Sequence, residues 1–252
     1  MKIRSLVVAA SIGFMFPLIV AIAAQAAEIK VVSGVGLKAA FSELAPQFEG
    51  ATGHKLVMVF GHVAALKRKI DAGETVDVII LSPTAIDDLI KHGKVAADSR
   101  AYVGRTGIGV AGRKGAPKPD ISSVDAFKRA MLDANSVAYA KEGQSRKVLF
   151  AAFDRLGIAA DMKPKLKGYV RPEQAVIKGE AELGVTGIGA ILAATDAKFV
   201  GAFPPELQSY IVFTAGASTS SADSVAARAL IRFLTAPASV QVLKAHGVEQ
   251  PG

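Results

Sequence analysis

The chain has 252 residues, 51% of them hydrophobic and 21% charged, and contains no Cys. A composition this apolar excludes a disordered or collagen-like chain, and the lack of Cys excludes disulfides, thiolate metal sites and a catalytic thiol. Thirty Lys and Arg against 22 Asp and Glu leave a formal charge of +8, which permits an acidic partner without demanding one.

Lys2 and Arg4 precede an uncharged run from Ser5 to Ala24 that closes on Ala24-Gln25-Ala26. A basic start, an apolar middle and a small-x-small end predict a secretory signal segment over 1–26. The run is also long enough to span a bilayer, but Pro17 and the small residues at its end favour cleavage. With no Cys after the run there is no site for a lipid anchor. The sequence thus predicts a freely diffusing periplasmic protein, whose charge falls from +8 to +6 with the loss of Lys2 and Arg4.

From Glu28 onward, short β-branched runs alternate with longer amphipathic ones. Glu28 to Ser33 predicts a strand, and Leu37, Ala40, Phe41, Leu44 and Phe48 recur on one face of a helix ending near Gly53. Further strands are predicted at 55–61 and 76–81, with helices at 64–72 and from Pro83 to Gly93. A strand at 104–111 and a Gly/Pro/Lys-rich turn lead into a second series. It comprises helix 124–134, strand 136–140, helix 145–156, strand 167–170, helix 172–178 and strand 182–186. The chain closes with strand 208–215 and helices 222–234 and 238–245. This order predicts an α/β fold of two lobes, each a mainly parallel sheet flanked by helices, with a ligand crevice at the carboxyl ends of the strands. The lobes are expected to comprise 27–106 with 204–252, and 107–203. The second carries 15 basic and 10 acidic side chains, a balance that suits an anion-receiving cleft.

Candidate site residues follow strand ends. Gly34-Val35-Gly36-Leu37-Lys38-Ala39 has a dinucleotide-like spacing, but no carboxylate stands at Phe60-Gly61-His62-Val63 to hold a ribose. What remains near Gly36 is a helix start with free N–H groups, suited to an anion. Gly61 and His62 repeat the design, with His62 either a ligand contact or a loop histidine facing solvent. Ser82 reads as a helix cap or a contact. Ser145 has the same two readings, and Arg146 is a candidate fork for a carboxylate or oxyanion. Thr186 and Gly187 offer a hydroxyl and a close backbone approach. Enzyme signatures are missing: there is no P-loop, no H-E-x-x-H and no nucleophile elbow at Gly143-Gln144-Ser145. His54, His62, His92 and His246 lack metal-ligand spacing, and the basic residues lack the interleaved aromatics of a nucleic-acid binder. A binding protein is predicted rather than an enzyme, with no cofactor, no metal and no nucleic acid, and monomeric.

The order of short motifs carries a resemblance. Gly36-Leu37-Lys38-Ala39-Ala40-Phe41 leads to Phe48-Glu49-Gly50-Ala51-Thr52-Gly53, then to Phe60-Gly61 and to Leu66-Lys67-Arg68-Lys69-Ile70-Asp71-Ala72-Gly73-Glu74. Near the end stand Phe233-Leu234-Thr235-Ala236-Pro237-Ala238 and Lys244-Ala245-His246-Gly247. This pattern resembles the periplasmic molybdate-binding-like proteins, substrate-binding components of ABC importers with the type II periplasmic-binding fold. The resemblance implies two crossover segments, placed near Val103–Gly107 and Ala202–Glu206, hinge closure on a ligand, and an inner-membrane permease and ATPase as partners. It also implies serines at the start of the first helix and after the second strand, where this chain has Gly36 and Val63, and a tyrosine where it has Gly187. Those departures point to a small anionic solute other than molybdate, larger or organic. Molybdate or tungstate held by backbone donors, a ligand sensor for a membrane kinase and a secreted hydrolase are the alternatives.

Overall fold

A computed structural model describes residues 26–250. The expected signal segment lies outside them, apart from its last residue. Among the described residues, ten strands form two five-stranded sheets, and each sheet is covered by helices on both faces.

The first lobe begins with β1 (Glu28–Gly34), α1 (Lys38–Thr52), β2 (Lys55–Gly61), α2 (Val63–Asp71), β3 (Val78–Leu81) and α3 (Pro83–Lys91). β1 runs parallel to β2 in register from Glu28↔Lys55 to Gly34↔Gly61, and parallel to β3 on its other side. Alternation sorts its side chains. Val31 joins Phe41, Leu44 and Phe48 beneath α1, and Val32 joins Leu66, Ile70 and Leu89 on the opposite face. β3, with both faces covered, is buried throughout.

The expected strand at 104–111 is instead two strands in different sheets, β4 (Ala101–Thr106) and β5 (Ile108–Arg113). The chain crosses between lobes at Gly107. A Cβ there would lie 2.9 Å from Gln208 Nε2 and 3.2 Å from Ile188 Cδ1, so a side chain at the crossing would press on the Gln208 amide. The second lobe continues with α4 (Val124–Asp133), β6 (Val137–Ala140), α5 (Gln144–Leu156), α6 (Ala159–Met162), β7 (Leu166–Tyr169), α7 (Pro172–Ile177), β8 (Leu183–Gly187), α8 (Ile188–Leu192) and β9 (Ala197–Ala202). Its order is β7-β6-β8-β5-β9, with β6 parallel to β7 and β8, and β5 antiparallel to β8 and β9. Phe127, Met131, Leu149 and Phe153 fill one face, whereas the face under α7 is built from Ala138, Ala175 and Ala181.

The chain returns through 203–210 to β10 (Ile211–Ala217), which inserts antiparallel between β3 and β4, and ends with α9 (Ser224–Thr235) and α10 (Pro237–Ala245). The first sheet is thus ordered β2-β1-β3-β10-β4. Gln208 ties the crossings together: its Oε1 accepts from Ile108 N at 2.8 Å and its Nε2 donates to Ile108 O at 2.9 Å. β10 starts at Ile211, beyond the expected Gln208. The architecture is the two-lobed type II periplasmic-binding fold, with two crossovers. Periodicity did not reveal α6, α8 and β9, each of at most six residues.

Candidate functional site

The parallel strands of both sheets end at the interface of the lobes. Five of the helices that follow them, α1, α2, α5, α7 and α8, start without a side-chain cap. α1 is preceded by a 3-10 turn at Val35–Leu37 whose cap is Gly34; α2 is capped in backbone only by His62, and α5 by Gly143 at φ +96°. Side-chain caps close α3, α4 and α9. Ala126 N donates to Ser123 Oγ at the start of α4, and Ala226 N donates to Asp223 Oδ1 at the start of α9. An uncapped helix start keeps its first N–H groups available, and the helix dipole favours a negative charge there.

α2 and α5 oppose each other across the lobes. A Cβ on Gly143 would lie 3.6 Å from His62 Cε1 and 3.7 Å from Nδ1, so the imidazole of one lobe faces the start of α5 in the other. His62 therefore stands at the interface. Close by, a Cβ on Gly189 at the start of α8 would lie 3.2 Å from Gly36 O, which brings β8 and its loop against the Gly34–Gly36 turn. Gly36, Gly61, His62, Val63, Ser145, Thr186 and Gly187 thus share the strand ends that face the other lobe.

Two hydroxyls stand out among them. Ser145, in the first turn of α5, is 7% exposed and Thr186, at the end of β8, is 8% exposed. Neither hydroxyl has a hydrogen-bond partner in the protein among the described residues. A buried hydroxyl without a partner is costly. The oxygens sealed from solvent without one belong to Tyr102, Thr106 and Ser239, so those of Ser145 and Thr186 remain reachable. Ser82, in contrast, caps α3, with Ala85 N donating to its Oγ at 3.4 Å. Arg146 lies with Cζ 4.7 Å from the centroid of Phe150, one turn along α5. Its guanidinium is engaged with the side of the helix.

The glycines at the predicted serine and tyrosine positions differ in kind. A Cβ on Gly36 would meet Phe213 Cζ at 2.8 Å, and one on Gly34 would meet Phe213 Cε1 at 3.1 Å. Phe213 is 2% exposed within the first lobe's core, so its ring has nowhere to go. Around Gly187 a Cβ would meet nothing within 4 Å, leaving open space beside Thr186. Val35, half-exposed on the same turn as Gly36, adds an apolar surface. A groove of about 290 Å³ runs along another side of α5, between Lys147, Arg155 and the Glu206–Ser209 crossover. It draws no residue from the strand ends of the first lobe.

Residues 29–249 match the profile of the family described as bacterial extracellular solute-binding protein. The chain belongs to this family. Aconitate isomerase from a Pseudomonas species is 31% identical over 228 residues, covering 88% of this solute-binding protein and 87% of that enzyme. The molybdate-binding protein ModA of Azotobacter vinelandii is 29% identical, covering 98% of this chain and 97% of its own. The solved periplasmic molybdate-binding protein of Azotobacter vinelandii superposes with a TM-score of 0.70 at 21% identity, covering 89% of this chain and 100% of that one. The solute-binding protein is thus of the molybdate-binding-like, type II class. Sequence reasoning missed Phe213, because no local pattern links a strand residue late in the chain to a turn near its start. It also missed Arg171 and Glu173, an Nε to Oε1 pair at 2.8 Å beyond β7.

Proposed function

We propose that this protein is the periplasmic solute-binding component of an ABC importer and captures a small organic anion carrying more than one carboxylate. The lobes that enclose it would be 27–106 with 204–252, and 107–203, and a membrane permease with its ATPase would receive the ligand. One observation carries the anion: α2 and α5 point uncapped N-termini at each other, with His62 against Gly143. Ser145 and Thr186 would donate their free hydroxyls, and backbone N–H groups near Gly36 and Gly61 would complete the shell. A compact oxyanion is disfavoured by the loss of hydroxyls at Gly36 and Val63. The space at Gly187 and the apolar surface of Val35 suit a carbon skeleton, and the 31% identity to an enzyme named for aconitate supports the same class.

Thermal-shift and calorimetric titration with citrate, trans-aconitate, succinate, molybdate, tungstate and sulfate test this reading. A ligand near a hundred times its Kd should raise the Tm by about 5 °C or more. The di- and tricarboxylates are expected to do so. A shift with molybdate or tungstate alone would reject an organic ligand.

The same relative favours a second reading, in which the bound acid is also isomerised. Moving a double bond by a 1,3-proton shift needs one group that removes a proton from carbon and returns it at another. The imidazole of His62, exposed at the cleft and without a protein hydrogen bond among the described residues, is of the right type. Chromatography of trans-aconitate incubated with the protein decides it: a cis product that His62→Ala fails to make supports catalysis, and unchanged substrate leaves binding alone.

A further inference from the structure

β6 and β7 are parallel neighbours in register up to Ala140↔Tyr169, and Lys141 N extends the ladder to Tyr169 O at 2.9 Å. The segment leaving β6 towards Gly143 and Ser145 therefore runs beside the segment leaving β7 towards Arg171. Both emerge at the end of the sheet that faces His62. Arg171 precedes the first turn of α7 with its side chain 65% exposed, while Glu173, two residues on, is 3% exposed. Arg171 Nε donates to Glu173 Oε1 at 2.8 Å.

A carboxylate as buried as Glu173 is kept by an opposite charge, and that charge is held in place in return. The pairing uses only the Nε of the guanidinium. Both Nη groups make no hydrogen bond to protein among the described residues, and their paired N–H edge matches the two oxygens of a carboxylate. Arg146, the other arginine near this end of the sheet, has its guanidinium laid on Phe150.

Resting on the organic-anion reading above, we propose that Arg171 is the specificity-determining cation of the cleft. Its Nη edge grips a second carboxylate of the ligand, and Glu173 acts as its positioning residue. One carboxylate sits at the α2 and α5 starts and the next reaches Arg171, so the pair selects polycarboxylates over compact oxyanions.

Calorimetric titration of the mature protein with trans-aconitate and citrate, with molybdate in parallel, tests the assignment. Arg171→Ala should weaken the polycarboxylates about 10- to 100-fold, the usual consequence of losing charge-assisted hydrogen bonds. Arg171→Lys should recover only part, because an ammonium lacks the fork. Glu173→Gln should weaken binding less, and the double variant Arg171→Ala/Glu173→Gln no more than Arg171→Ala alone, which a merely structural role of Glu173 would not produce. The double variant also removes the buried charge that Arg171→Ala leaves unpaired. Wild-type binding of polycarboxylates with Arg171→Ala within twofold, in a variant with native circular dichroism, overturns the role of Arg171 and leaves the organic-anion reading standing. A wild type that binds molybdate but no polycarboxylate overturns both.

Discussion

Phe213 lies against Gly34 and Gly36, and its ring fills the space that a side chain at residue 36 would need. The ring belongs to a packed core, so the glycine is a consequence of the phenylalanine as much as a feature of the turn. Gly36→Ser should therefore lower stability by about 1–3 kcal/mol, the usual cost of forcing extra volume into such packing, and should not create molybdate binding. Adding Phe213→Leu should recover part of that loss, so that the two changes are coupled in a double-mutant cycle of urea melts. If Gly36→Ser is as stable as wild type, or costs the same in the presence of Phe213→Leu, the ring is not what excludes the serine. The family resemblance pointed to the missing hydroxyl. The reason it is missing depends on β10 returning from the second lobe, which no local pattern encodes.

Helix starts are of two kinds, with and without a side-chain cap. Those of α4 and α9 are closed by Ser123 and Asp223, while those of α2 and α5 remain open at the interface of the lobes. Ser123→Ala should cost about 1 kcal/mol of stability and leave ligand affinity unchanged, as the loss of a cap does. Ser145→Ala should do the reverse, since its hydroxyl has no protein partner to lose, with affinity for trans-aconitate falling at unchanged melting temperature. Paired thermal melts and titrations check both, and a stability loss in Ser145→Ala with intact binding would return this serine to a structural role. Strand-to-helix junctions at Gly36, Gly61, Ser82, Ser145 and Gly187 were legible because a strand period, a turn residue and a helical period follow one another within a dozen residues. Arg171 and Glu173 were not. Their meaning lies in the burial of Glu173 in the first turn of α7 and in the pairing of β7 with β6, both set by tertiary packing. The split of the expected strand 104–111 was hidden for a similar reason, since only the Gln208 side chain and the second sheet mark Gly107 as a crossing.

Across the molecule, ionic support is spread unevenly. In residues 27–106, Lys67 bridges Asp71 at 2.7 Å and Asp88 at 2.9 Å, joining α2 to α3, while Arg228 of α9 meets Asp98 at 2.9 Å. The Lys67 hydrogen bond is the foremost cause that holds the Asp71 and Asp88 carboxyls below the usual 3.8, and the Arg228 hydrogen bond does the same for Asp98. Glu49 is held below 4.5, first by the Leu56 N–H and then by Lys55. In residues 107–203, Asp120 is the carboxyl similarly lowered, by the Ser122 N–H. A carboxyl with a depressed folded pKa binds its proton in the unfolded chain first as the pH falls. Its contribution is complete above the unfolded value, declines through that value and is gone below the folded one. These groups therefore leave stability level between about pH 6 and 8 and withdraw it below about pH 4.5. Each pair is exposed and contributes little alone, and added salt screens it further. Four of the five carboxyls, however, lie in one sheet's lobe. Acid should loosen that lobe first, so pepsin at about pH 3 in low salt should make its first cuts within 27–106 or 204–252. First cuts within 107–203 would mean that acid sensitivity is governed by packing, where the thin alanine face under α7 is the weaker layer.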